Sequence, residues 1–283
     1  MWDKFDENCG KYCSPSAYVT VDVTLLIFGG KCPFRMYIPS KPDKYGLKII
    51  SACDARTFYF LKGIPYVDHE ITKRKGDLSL PTQYVLRLTG FITGRNRNVT
   101  VDNWFSSVKL TEELAKKLTM VGTLRKNKPP LPPSMISART PVLYTEYLYQ
   151  PDKMILSHTH KKNKKVVWIS SVQCTGERGE SKPEIIEFSN SAKSGVDVLD
   201  KFCHDKTTKR TTRRWPLRYF LGILDIAAVN SFVLYKWNLN LERYSKEART
   251  YLLKTLAFQL TETRMTRRAY NLRISKQLRL SIK

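Results

Sequence analysis

The chain has 283 residues, enough for one large domain with an insertion or for two domains, and enough to bury a proper core. Lys and Arg number 49 against 25 Asp and Glu, a formal net charge of +24. That balance argues against a neutral metabolite as the main partner and points to a polyanion, nucleic acid first.

Residues 1–10 carry Asp3, Lys4, Asp6 and Glu7 without an apolar run, so no signal peptide is expected and an intracellular location is. The six cysteines (Cys9, Cys13, Cys32, Cys53, Cys174, Cys203) stand at irregular intervals with no C-x-x-C, and are expected to be reduced thiols. A sequon at Asn98 carries no weight without secretion.

In chain order, residues 16–61 alternate in strand fashion with turns at Gly29-Gly30 and from Pro39 to Gly46, predicting an antiparallel meander with further strands at Leu47–Asp54 and Thr57–Gly63. A helix is predicted over Pro81–Ile92, a strand over Asn98–Asp102, a helix over Val108–Leu118 and a strand over Met120–Leu124. The proline-rich stretch from Lys126 to Pro133 closes this block. Residues from about 131 to 182 are basic and strand-like and predict a small β-rich lobe. Within it, His158 and His160 beside Lys161, Lys162, Lys164 and Lys165 predict an exposed basic loop and not a metal clip.

Ser191–His204 reads as a helix with Val196, Leu199, Phe202 and Cys203 on one side and Asp197 and Asp200 three apart on another. Ser194 and Asp197 also have capping-box spacing, which leaves a purely structural role open for that acid. Two long helices follow, Trp215–Trp237 and Ser245–Arg279. The apolar run Tyr219–Tyr235 is broken by Asp225 and Asn230, as in a buried helix and not a membrane span. Residues 201–283 hold 19 Lys or Arg and five acids, net +14. After Glu262 there are no acids, and Arg264, Arg267 and Arg268 recur at helical spacing, a face suited to phosphate or simply to water.

Val-Thr-Val-Asp occurs twice, ending at Asp22 and at Asp102. In each copy the valines face one side of a strand and the acid the other. Either acid alone is compatible with a solvated turn residue. Together with Asp197 and Asp200 they suggest carboxylates gathered for two divalent ions, Mg²⁺ or Mn²⁺, of the kind used in phosphoryl transfer. A meander, then strand, helix, strand, with acids on the first strand, the end of the fourth and a later helix, is the ribonuclease H-like arrangement. The expected fold class is therefore α/β: a mixed five-stranded sheet with flanking helices, a β-rich insertion and a C-terminal helical tail.

The segment Tyr18–Lys48, with Asp22, Phe28, Gly30, Cys32-Pro33-Phe34, Tyr37, Pro39, Lys41-Pro42, Lys44-Tyr45-Gly46 and Lys48, resembles the signature of piggyBac transposases and piggyBac-derived proteins. The resemblance continues through Asp102-Asn103-Trp104-Phe105-Ser106-Ser107, Val121-Gly122-Thr123, Lys193 to Asp200, Arg214-Trp215-Pro216 and Asn230-Ser231-Phe232. It implies cutting and joining of DNA at TTAA targets, with Asp22, Asp102 and Asp197 as metal ligands and Asp200 as an accessory carboxylate. It further implies DNA contacts from Lys31, Arg35, Lys44, Arg125, Lys209, Arg210, Arg213, Arg214 and Trp215, a homodimer and a nuclear location; no membrane or small-molecule partner is expected.

The corresponding domain division is an N-terminal remnant at 1–15, core at 16–130, insertion at 131–183, the final core helix at 184–205 and a dimerisation and DNA-binding region at 206–283. Val23 stands where the family has Glu, Gly29 and Lys31 where it has Arg, and Ser194 where it has Gly. The chain begins just before the first strand and lacks the family's cysteine-rich tail, so impaired end recognition is expected. Two functions remain open, an active DDD-type transposase core and a catalytically silent DNA-binding remnant, with a general nuclease or RNA-binding role third. Trp104 and Trp215 are candidates either for base stacking or for core packing.

Overall fold

The computed structural model describes residues 1–39, 41, 43–67, 78–127, 131–137, 140–172, 182–240 and 246–282. Cys174 and the linker between the two long C-terminal helices fall at least partly outside them. The chain divides into two compact units, Met1–Asn230 and Ser231–Lys283.

The first unit opens with helix α1 (Trp2–Tyr12), which the sequence left without an element. Its aromatic residues explain it: the Phe5 ring stacks 5.7 Å from Phe60, Trp2 meets the same ring edge-on, and the Asp6 carboxylate accepts from the Gly63 amide at 2.7 Å. Strands β1 (Tyr18–Ile27), β2 (Arg35–Tyr37), β3 (Tyr45–Asp54) and β4 (Phe60–Pro65) form the expected meander. Then come α2 (Leu80–Thr89), capped by Ser79 and continued by a tight turn to Ile92, strand β5 (Asn98–Val101), α3 (Val108–Ala115) and β6 (Thr119–Leu124). Asn98 is buried and donates to the Thr119 hydroxyl at 3.1 Å, so the sequon there is a core residue.

The five core strands lie in the order β4, β3, β1, β5, β6, with β1 parallel to β5 and β5 parallel to β6. The short β2 pairs with the beginning of β3 on the edge that β4 uses further along. This is a ribonuclease H-like core. The middle of the sheet is closed by apolar side chains with no measurable exposure, among them Val19, Val21, Ile50 and Val99.

After the short helix α4 (Pro133–Ile136), strands β7 (Thr145–Gln150), β8 (Lys153–Lys161) and β9 (Lys164–Ser170) supply the expected β-rich insertion. They continue the same sheet, because β9 pairs antiparallel with the edge of β6, Val121 opposite Ser170. Covering that edge satisfies backbone groups that β6 would otherwise expose. Val121, Met154, Leu156 and Trp168 form a joint core with Ile185 and Ile186 of the next helix.

The expected exposed basic loop is only half correct. His158 is buried, its Nδ1 2.9 Å from the Thr145 hydroxyl, and the buried Lys165 ammonium donates to the Ser134 carbonyl at 2.8 Å. Coverage of the strands on both faces explains the error: β8 buries Ser157, His158 and Thr159 in succession and β9 buries Lys165, and each buried polar group must find a partner.

The helix expected over 191–204 is two helices, α5 (Glu184–Ala192) and α6 (Gly195–Asp205), separated at Lys193-Ser194. Helix α7 (Trp215–Asn238) is long and apolar enough in composition to cross a bilayer. Within the first unit it nonetheless carries buried polar groups with defined partners: Asn230 brackets the Phe60 backbone, accepting from its amide at 2.8 Å and donating to its carbonyl at 2.9 Å. Arg218 Nε donates to the Ile27 carbonyl at 3.0 Å. Such pairing belongs to a helix packed against the rest of its unit.

In the second unit, the single helix expected to run to Arg279 is α8 (Lys246–Ala269) and α9 (Lys276–Ile282). The break follows from Asn271, whose side chain accepts from the Arg273 amide at 3.0 Å, and from Ser275, which accepts from the Leu278 amide and starts α9.

Candidate active site

The register of the sheet sets the first two acids side by side. Val21 pairs with Val101 across the parallel β1 and β5, so one further step along both strands places Asp22 beside Asp102 with their side chains on one face. Asp102 lies just past the end of β5, where its carbonyl accepts from the amides of Phe105 and Ser106, both at 3.1 Å. That tight turn is what Asp-Asn-Trp-Phe-Ser-Ser encodes, and Ser107 then caps α3 through the Leu110 amide at 3.1 Å. Gly122 of β6 allows the turn to approach, since a Cβ there would lie 2.8 Å from Val101 Cγ2 and collide with the Ser106 hydroxyl.

The third and fourth acids arrive on α6. A Cβ on Gly195 would stand 2.6 Å from Thr20 Oγ1 and 3.0 Å from Thr20 Cβ, so glycine at the first helical position lets α6 rest directly on β1. Thr20 is meanwhile held by donating to the Ala192 carbonyl at 2.6 Å. Ser194 makes no side-chain cap, so the capping-box reading of Asp197 does not hold. Asp197 turns to a lysine instead.

That lysine is Lys41, on the loop between β2 and β3. Its Nζ lies 3.4 Å from Asp197 Oδ1 and 3.4 Å from Asp200 Oδ2. Burial lowers the pKa of this ammonium, but Asp200, Asp22 and Asp197 outweigh it and the net shift is upward. Burial pushes Asp22 up to about 6, against the Val23 amide and Lys41 and with the help of Asp102 and Asp197. Burial likewise pushes Asp200 up to about 6, against Lys41 and the Thr24 hydroxyl. Ser51 donates to Thr24 Oγ1 at 2.9 Å, so a hydroxyl relay from β3 through β1 orients Asp200.

Asp197 and Asp200 thus pair directly with the Lys41 ammonium, Asp22 lies near enough to act on it, and Asp102 adjoins Asp22. Among the described residues no three His, Cys, Asp or Glu side chains stand close enough to share a metal ion; the carboxylates are spaced around Lys41. Their chemistry, oxygen donors alone, suits a hard divalent cation. A cavity of about 380 Å³ opens beside them, lined by Thr24, Lys41, Asp197, Asp200, Lys201 and Lys209 among others.

The basic residues expected to meet DNA are dispersed. Lys31, Lys44, Lys209, Arg210, Arg213 and Arg214 are exposed. Arg35 is exposed too, but its Nη1 donates to the carbonyls of Gly29 and Gly30, at 3.2 and 3.0 Å, and its guanidinium lies 5.1 Å from the centre of the Tyr45 ring. It closes its own loop. Arg125 donates to Asn103 at 3.1 Å, next to Asp102. Arg264, Arg267 and Arg268 lie exposed on α8 in the second unit.

Trp104 is half-buried under the Lys48 ammonium, 3.6 Å from its ring centre, and edge-on to Phe105, which makes it a packing residue. Trp215 is 37% exposed and meets Phe34 edge-on at 5.0 Å. Of the departures from the family pattern, Val23 lies on the sheet face opposite Asp22, as alternation expects. Gly29 is exposed with open space where a Cβ would stand.

Lys41, Thr24 and Ser51 were missed as site residues. Thr24 had a signal, lying two residues from Asp22 on the same strand face; Lys41 stood in the quoted family motif, but nothing in its local spacing tied it to the acids.

The fold is a ribonuclease H-like core with acids gathered on one face of its sheet, and a family model described as Transposase IS4 matches residues 1–232. A cryo-EM structure of a piggyBac transposase synaptic complex with hairpin DNA superposes with a TM-score of 0.92 at 35% sequence identity, over 100% of this chain and 60% of that one. The chain belongs to the piggyBac transposase family. It spans about three fifths of the length of the solved relative.

Proposed function

We propose that this chain is the catalytic portion of a piggyBac-type DNA transposase, cutting and joining strands at TTAA sites by two-metal phosphoryl transfer. The observation that carries this reading is the convergence of the acids from β1, the end of β5 and α6: Asp22 is near enough to Asp102 and Asp197 to feel both, and Asp197 and Asp200 share the Lys41 ammonium. Asp22, Asp102 and Asp197 would hold Mg²⁺ or Mn²⁺, with Asp200 as an accessory carboxylate fixed by Thr24. Bound there, two ions would activate water or a DNA 3′-hydroxyl and neutralise the leaving oxygen.

The protein's own contribution is placement. Asp22 is fixed in the middle of the sheet, and its Oδ1 accepts from the Val23 amide at 2.7 Å. Exposed Lys31, Lys44, Lys209, Arg210, Arg213 and Arg214 offer phosphate contacts without base selectivity. The same reading carries a homodimer working in the nucleus, as the piggyBac resemblance implies.

The test is nicking of a TTAA-containing duplex in Mg²⁺. Activity is expected in the wild type and a loss of at least about a hundredfold in Asp22→Asn and Asp102→Asn, the scale of removing a metal-held charge. Nicking that persists in both variants would refute the carboxylate assignment. A second reading, a DNA-binding protein without chemistry, is favoured by Gly29 and Lys31, which weaken the basic turn after β1. It expects salt-sensitive DNA binding and no cleavage at any metal concentration.

A further inference from the structure

The β2–β3 loop brings a cation to the acids before any ion is considered. Three short-range hydrogen bonds join its described residues: Ile38 N to Lys44 O at 2.7 Å, Lys41 N to Ile38 O at 3.2 Å and Lys44 N to Lys41 O at 3.2 Å. Lys44 closes the turn in the left-handed region, with φ of 43°. The Lys41 backbone is thus held at both its amide and its carbonyl, and its four-carbon stem can carry the ammonium in or out.

Asp197 and Asp200 are one turn apart on α6 and present one oxygen each to that ammonium. Two carboxylates so placed, with Asp22 and Asp102 nearby, repel one another unless a cation stands between them. A divalent ion would use the same oxygens. Lysine suits a replaceable occupant: it is a point charge on a flexible stem, without the fork that would lock a guanidinium onto both acids. The side chain is 21% exposed, so a path to solvent exists.

We propose that Lys41 is a tethered counter-cation that competes with the divalent ion for Asp197 and Asp200, and that its ammonium swings out as metal enters. Lys41 is thereby a gate on metal loading and not a ligand or a base. The inference rests on the metal-site reading above, and it assigns a role to a residue 156 positions from Asp197 in sequence.

Mn²⁺ titration of the full chain without DNA, followed by the electron paramagnetic resonance of free Mn²⁺, tests it. Lys41→Met and Lys41→Gln are expected to bind Mn²⁺ about tenfold tighter than the wild type, equivalent to ~1.4 kcal/mol of removed competition. In EDTA the same variants should melt at lower temperature than the wild type, and added Mn²⁺ should narrow that gap. Circular dichroism establishes that each variant is folded, and two substitutions guard against one of them failing to fold. Unchanged or weaker Mn²⁺ affinity in both variants, with binding abolished in Asp22→Asn, overturns the gate and leaves the metal site standing. Loss of DNA affinity in Lys41→Met without any gain in Mn²⁺ affinity also overturns it and makes Lys41 a phosphate contact. If no protein, wild type included, binds Mn²⁺, the gate and the metal site fall together.

Discussion

Lys48 shows how a single charge is held beside the acids yet kept out of their cluster. It is 6% exposed, with its ammonium 3.6 Å from the Trp104 ring centre and 4.5 Å from that of Tyr66. Burial lowers its pKa to about 8 against the pull of Asp22. Between pH 8 and the usual value of 10.5 the unfolded chain binds the extra proton, so folding stability rises with pH across that window and is lost as pH falls through 8. Below pH 8 the ammonium is protonated against its burial, at a net cost of at most a few kcal/mol (~1.4 kcal/mol per pKa unit) that the two aromatic faces keep from being larger. Lys48→Met is therefore expected to be more stable than the wild type at pH 7, by about 1 kcal/mol, with the gap closing or reversing by pH 10. Denaturant melts of both proteins across that range check this; a gap independent of pH would show that Lys48 is not held charged against its burial. The sequence marked Lys48 as part of a motif, but its partners Tyr66 and Trp104 come from other strands and turns, and local spacing carries no information about them.

At the scale of the element, legibility followed the range of the interactions. Strand alternation in both Val-Thr-Val-Asp copies gave the facing of Asp22 and Asp102, because a period of two is a local property. The break between α5 and α6 was not legible: helical periodicity continues through Lys193, and what separates the helices is the contact of Gly195 with Thr20 on a strand far away in sequence. The extension of the sheet by β7, β8 and β9 was hidden for the same reason, since strand propensity does not say which edge a strand will join. Gly195→Ala tests the element-level argument. Alanine in the first helical turn gains up to about 1 kcal/mol of helix propensity, while pushing a methyl to 2.6 Å from Thr20 Oγ1 costs about 1–3 kcal/mol of strain. Strain should win. The variant is expected to melt lower and, because Asp197 and Asp200 ride on α6, to bind Mn²⁺ more weakly; undiminished stability and Mn²⁺ binding would mean that α6 does not depend on this contact for its place.

For the whole molecule the question is where the charge of +24 acts. The fold class was readable because acids, turns and strands recur in an order few folds share, whereas the division of labour among the cations was not. Arg35 and Lys165 spend hydrogen bonds on carbonyls and Lys41 on carboxylates, while Arg264, Arg267 and Arg268 stay exposed on α8. Only cations that neutralise phosphates release counterions, each adding about 0.9 to the slope of log affinity against log salt. Exchanging Arg264, Arg267 and Arg268 together for Gln should therefore lower that slope for duplex DNA by roughly 2 to 3 if all three meet phosphate. The arginines are surface residues of α8, so the melting temperature should barely move. Fluorescence anisotropy across a salt series distinguishes the outcomes: an unchanged slope would make the basic face of α8 a solvated surface, and would leave DNA retention to the exposed cations of residues 1–230.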